Sequence, residues 1–77
     1  MEKDEELTKL GLRIKELRKM KNVTQEELAH VIDKDQQSIQ RLEAGKINPS
    51  FLYLQQIAKG LGMPLSEIFS ELWLCGK

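Results

Sequence analysis

The sequence predicts an all-α fold of five short helices, and three observations predict it. Apolar residues recur three and four apart along successive segments, which puts them on one side of a helix. Capping and turn-forming residues separate those segments at short intervals. No segment alternates apolar and polar residues as a half-buried strand does.

Leu7, Leu10, Ile14 and Leu17 form the stripe of a first helix over roughly residues 5 to 21, and Asn22, which tolerates the left-handed conformation, ends it. Thr24-Gln25-Glu26-Glu27 is a capping box, in which Thr24 and Glu27 satisfy each other's free amides. It opens a second helix over about Gln25 to Ile32, with Leu28, Ala29, Val31 and Ile32 as its apolar side. Asp33-Lys34-Asp35 interrupts the pattern, and Asp35 caps a third helix, roughly Gln36 to Ala44, whose only interior residues are Ile39 and Leu42. Gly45 stops that helix and a Gly-, Asn- and Pro-containing loop follows. Ser50 or Asn48 caps a fourth helix carrying Phe51, Leu54, Ile57, Ala58 and Leu61, closed by Gly60-Leu61-Gly62. Pro64 opens a fifth, with Leu65, Ile68, Phe69 and Leu72 inward.

At 77 residues the chain is one domain, 1–77, with an ordered core over about residues 7–72. A chain of this size buries only about 60% of the surface its unfolded form exposes, so the core is small. The one cysteine, Cys75, excludes an internal disulfide and a thiol-based zinc cluster, which suits a reducing cytoplasm. The acidic start Met1-Glu2-Lys3-Asp4-Glu5-Glu6 is unlike a secretory signal, and no membrane association is expected. The formal net charge is zero, from 12 basic and 12 acidic residues, but the distribution is uneven. Between residues 9 and 21 stand Lys9, Arg13, Lys15, Arg18, Lys19 and Lys21 against the single acid Glu16. That segment reads as an electrostatic footprint for a polyanion, or as an ordinary solvated face.

Residues 25–44 carry the chemistry. A short helix, a tight turn and a second helix with little core and much polar surface is the plan of a helix-turn-helix. The plan needs a small residue where the second helix crosses the first, met by Ala29, and apolar residues to lock the crossing, met by Ile39 and Leu42. Opposite that core, Gln36, Gln37, Gln40, Arg41 and Ala44 form one stripe. A glutamine amide both donates to and accepts from adenine, and an arginine fork matches the two acceptors of guanine, so the stripe suits base reading in a major groove. Taken alone, the same glutamines also suit a solvent-facing helix in a bundle.

The segments Thr24-Gln25-Glu26-Glu27-Leu28-Ala29, Gln36-Gln37-Ser38-Ile39, Leu42-Glu43-Ala44-Gly45-Lys46 and Asn48-Pro49-Ser50 together resemble the Xre/Cro-like family of lambdoid phage repressors. The likeness runs from about Leu10 to Phe69, and the combined spacing is specific where any one motif is weak. It implies a compact five-helix DNA-binding domain with helices two and three as the helix-turn-helix, acting as a symmetric dimer on an inverted repeat. Carried over position by position, it assigns Gln36, Gln37 and Arg41 to bases, where Gln40 of the same outward stripe joins them as a base-reading candidate, and Gln25, Ser38, Lys46 and Asn48 to the sugar-phosphate backbone. It also matches Arg18 and Glu43 to a partly buried structural ion pair. Two departures stand out. Asp33 occupies a turn position where the family usually has glycine, and Asp35 puts an acid where the family often has Ser or Thr, which disfavours non-specific binding to phosphates.

No constellation for catalysis is present, with one His and one Cys and no phosphate-binding glycine loop, so no enzyme, cofactor, metal or small-molecule substrate is expected. Leu12 and Leu52 lie off the core stripes, and Phe51, Tyr53, Trp73 and Leu74 add large apolar surfaces near the C-terminal half, which suggests a partner; Leu52, Tyr53 and Trp73 are the expected homodimer contact. The function expected is sequence-specific regulation of transcription, most simply repression. The alternative is an antitoxin or controller whose main partner is a toxin or another protein.

Overall fold

The computed structural model describes the backbone of residues 5–75 and the side-chain surroundings of residues 5–70. Among these residues the elements are α1 Glu5–Met20, α2 Gln25–Val31, α3 Gln36–Glu43, α4 Phe51–Leu61 and α5 Leu65–Cys75. The expectations placed on the side chains of Leu72, Trp73, Leu74 and Cys75 lie outside the described residues.

The first four helices end in one way, because each supplies a residue able to take positive φ. Asn22 (φ 59°), Asp33 (φ 60°), Gly45 (φ 75°) and Gly62 (φ 72°) turn the chain. The next residue's amide then reaches back five residues: Val23 to Arg18, Lys34 to Ala29, Lys46 to Arg41 and Met63 to Ala58, at 2.8–3.1 Å. This closing motif satisfies carbonyls that the helix end orphans. Asp33 does so at a steric cost of about 1–2 kcal/mol that glycine avoids. Starts are equally explicit. Thr24 Oγ1 accepts from the Glu27 amide at 3.0 Å while Glu27 Oε1 accepts from the Thr24 amide at 2.9 Å. Asp35 Oδ1 accepts from the Ser38 amide, and Ser50 Oγ from the Tyr53 amide.

The core gathers Ile14 and Leu17 of α1, Leu28 and Ala29 of α2, Ile39 and Leu42 of α3, Ile57 and Ala58 of α4, and Ile68 of α5. α1 lies between α5 and α3, while α2 packs on α3 and α4. Gly11 is where α1 meets the end of α3: a Cβ there would stand 2.5 Å from the Leu42 carbonyl oxygen and 2.6 Å from that of Glu43. Any side chain would push α1 off α3, so this glycine fixes how deeply the third helix seats in the body.

Three side chains depart from the expected pattern. Val31, placed on the apolar side of α2, is 63% exposed, because it stands at the edge of the stripe that Leu28, Ala29 and Ile32 bury. Tyr53, expected at a dimer contact, is only 9% exposed and belongs to the core of its own chain. It stands at the edge of the inward side of α4, where its hydroxyl meets Ser38 at the start of α3. Arg13, counted in the basic footprint, is buried and tied to α5: Nη2 donates to the Glu67 carbonyl at 2.9 Å and to Ser70 Oγ at 3.4 Å.

Candidate nucleic-acid interface

α3 buries Ile39, Leu42 and Glu43 and leaves Gln36, Gln37, Gln40 and Arg41 exposed. The four lie on the side away from the core, over about 7.5 Å of helix axis at 1.5 Å per residue, the rise of about two base-pair steps. Each is a hydrogen-bonding side chain able to read base edges. Lys46 and Asn48, in the loop after α3, are exposed as well.

Behind the stripe, the α3 end is bolted to α1 and α2. Arg18 Nε donates to Glu43 Oε2 at 2.6 Å and Nη2 to Oε1 at 3.0 Å, a bidentate pair whose residues are only 7% and 6% exposed. Arg18 Nη1 donates to the Val23 carbonyl at 2.8 Å, and Gln25 Nε2 donates to Glu43 Oε1 at 2.9 Å. The carboxylate therefore ties the end of α3 to α1 and to the first residue of α2. Gln25 is half-buried and keeps its amide oxygen and a second N–H for other partners.

The other end of α3 is held from α4. The Ser38 hydroxyl lies 2.6 Å from the Tyr53 hydroxyl, and Lys34 Nζ sits 5.2 Å from the Tyr53 ring centroid. The contact of Tyr53 with α3, and that of Lys34 with Tyr53, are ones the sequence does not reveal, since the partners lie far apart in the chain. Leu52, the neighbour of Tyr53, is 71% exposed, and Phe51 beside it is exposed too. The structure thus separates two residues the sequence grouped, with Tyr53 inward and Leu52 outward.

The electrostatic footprint is smaller than its sequence count. With Arg13 and Arg18 spent on internal partners, the cations of the 9–21 segment that reach solvent are Lys9, Lys15, Lys19 and Lys21. Lys34, Arg41 and Lys46 add exposed positive charge on and around α3. Among the described residues no cluster of His, Cys, Asp and Glu is placed to hold a metal, and no helix is long and apolar enough to cross a membrane.

Comparison with known proteins matches this architecture. Control protein C.MunI of a Mycoplasma species is 42% identical over 65 residues, covering 83% of this chain and 88% of that protein. The solved restriction-modification controller C.AhdI of Aeromonas hydrophila superimposes with a TM-score of 0.84 at 32% identity, over 86% of this chain and 100% of that one. The controller C.Esp1396I, solved as a tetramer in complex with its natural 35-base-pair operator, superimposes with a TM-score of 0.84 at 31% identity, over 92% of this chain and 93% of that one. The helix-turn-helix family HTH_3 matches residues 14–68, from the core of α1 to that of α5, and the chain belongs to that family.

Proposed function

We propose that the chain is a DNA-binding regulator of transcription that reads a specific duplex site through α3, as a symmetric dimer on an inverted repeat, and is not an enzyme. The observation that carries this reading is the α3 stripe of Gln36, Gln37, Gln40 and Arg41, held outward by a helix whose other side is locked into the core. Gln25, Ser38, Lys46 and Asn48 are the backbone contacts of this reading. Likeness to control protein C.MunI and to the restriction-modification controllers C.AhdI and C.Esp1396I, over most of their lengths, supports a controller role in restriction-modification. A regulator of this kind acts where the chromosome is, in the cytoplasm.

Selection from a random duplex pool followed by footprinting tests the reading. The expected product is a two-fold symmetric site with half-sites about 34 Å apart. If each protomer neutralises about two phosphates, affinity falls roughly a hundredfold between 50 and 200 mM salt. A single asymmetric footprint, or affinity indifferent to salt, rejects the reading. A gene for an endonuclease or methyltransferase beside this one favours the controller role, and a toxin gene in that place favours an antitoxin.

With Tyr53 inside the chain, the exposed pair Phe51 and Leu52 at the start of α4 is the proposed dimer contact. Leu52→Glu is expected to give monomers in sedimentation with unchanged helicity, and to lose operator affinity with the lost second half-site. An undiminished dimer moves the contact to exposed Leu12 on α1.

A further inference from the structure

The Ser38 and Tyr53 hydroxyls form a short hydrogen bond whose direction matters for anything that approaches α3. Two hydroxyls in contact share one proton and leave one free. Tyr53 is a buried phenol, and Ser38 Oγ is the acceptor it meets among the described residues. Ser38 is half-buried and open to solvent. If Ser38 donated, the phenol proton would be stranded inside the fold, which costs far more than leaving a serine proton facing water. The phenol therefore donates, and the free proton is the one on Ser38. Donation by the phenol also polarises the serine hydroxyl and makes it a stronger donor in turn.

We propose that Tyr53 is a positioning residue for DNA binding, aiming the Ser38 hydroxyl outward as a hydrogen-bond donor to a duplex phosphate. This rests on the reading of α3 as the DNA-facing helix. Two surrounding contacts support it. Lys34 Nζ, 5.2 Å from the Tyr53 ring centroid, sits over the ring that carries the donating hydroxyl and adds positive charge to that side of α3. Asp35 Oδ1 accepts the Ser38 amide at 2.9 Å, which fixes the backbone that carries the hydroxyl. Without the phenol, Ser38 Oγ loses this partner, and its proton can turn back to a carbonyl of the preceding turn, as helical serines do.

The test uses the full chain, a duplex selected by the wild-type protein from a random pool, and an unrelated duplex of equal length. Tyr53→Phe keeps the ring and the Lys34 contact and removes only the hydroxyl. Tyr53→Phe and Ser38→Ala are each expected to weaken binding to both duplexes roughly tenfold, the worth of one hydrogen bond to a charged group. The double variant should lose no more than either single one. The salt dependence should stay as in wild type, because no charge is removed, whereas a general loosening of the fold would alter the charged contacts too. Thermal melts of each variant, with binding measured well below its melting temperature, keep the readout on folded protein; Tyr53→Phe leaves no buried proton stranded, whereas Ser38→Ala strands the phenol's. Wild-type affinity in Tyr53→Phe, or losses that multiply in the double variant, overturns the proposal while Lys46→Ala and Arg41→Ala still weaken binding. If those two are silent as well, the DNA reading itself has failed.

Discussion

Glu43→Gln is expected to destabilise the folded domain by about 3 kcal/mol, because it strands a buried guanidinium. Arg18 and Glu43 are almost wholly shielded from water, and the carboxylate accepts from Arg18 Nε, Arg18 Nη2 and Gln25 Nε2 at once. A neutral amide keeps the shape and loses the charge that balances Arg18. Domains of this length have a total stability of roughly 4–12 kcal/mol, so the loss is a large share of the whole. At about 4–8 °C per kcal/mol, the melting temperature should fall by about 12–24 °C. Arg13 and Glu16 supply the contrast within the same helix: they pair at 3.5 Å, but Glu16 is largely exposed. Glu16→Gln should cost less than about 1 kcal/mol, since water already screens that pair. Replacing Arg18 and Glu43 together by leucine should recover part of the loss, because no lone charge remains, though the Val23 carbonyl and the Gln25 amide then lose a partner. Thermal melts of the three variants beside wild type decide it. A Glu43→Gln melt within error of wild type would mean that the pair contributes nothing to stability.

The two ends of the hydrogen-bonding network around α3 were unequally legible in the sequence. The helices, their caps and the left-handed residues at Asn22 and Asp33 are local features, set by side chains within a few positions of one another, and the sequence exposes them directly. Arg18 and Glu43 lie 25 residues apart, and only the resemblance to a known family put them together. Tyr53 and Arg13 are buried for a reason the sequence pattern does not carry. Periodicity shows which side of a helix a residue occupies, but not whether another element crosses over the edge of that side. Tyr53 sits at the edge of the α4 stripe and is covered by the start of α3; Arg13 sits at the edge of the α1 stripe and is covered by α5. Long amphipathic side chains at such edges bury their stems and send the polar tip to whatever backbone is near, here the Glu67 carbonyl. The consequence for function is a shift in where the positive charge lies. The α1 arginines hold the fold, and the exposed cations at α3 and its flanks, Lys34, Arg41 and Lys46, face outward.

Base reading and phosphate anchoring should fail in different ways when α3 and its flanking loop are altered. Lys46 is exposed in the loop after α3, and any duplex can supply a phosphate for it. Lys46→Ala should therefore lower affinity for all sequences by a similar factor and reduce the salt slope by about one unit per protomer, leaving the order of preference intact. Gln37 and Arg41 stand outward on α3, about 6 Å apart along its axis, a spacing that should direct each to a different base pair. Gln37→Ala or Arg41→Ala should cost roughly 1–3 kcal/mol on the selected site and relax the preference at one base pair of each half-site, with a smaller effect on unrelated duplexes. Helices of this type enter the groove N-terminus first, which directs Gln36 and Gln37 to the outer base pairs of a half-site and Arg41 to an inner guanine. The melting temperatures should stay near wild type, since these side chains are solvent-facing, and that separates their effect from the collapse expected of Glu43→Gln. Competition binding on a panel of single-base variants of the selected site measures all of this at once. If Gln37→Ala and Arg41→Ala leave the ranking of that panel unchanged, α3 is not the reader and the exposed stripe serves a protein partner instead.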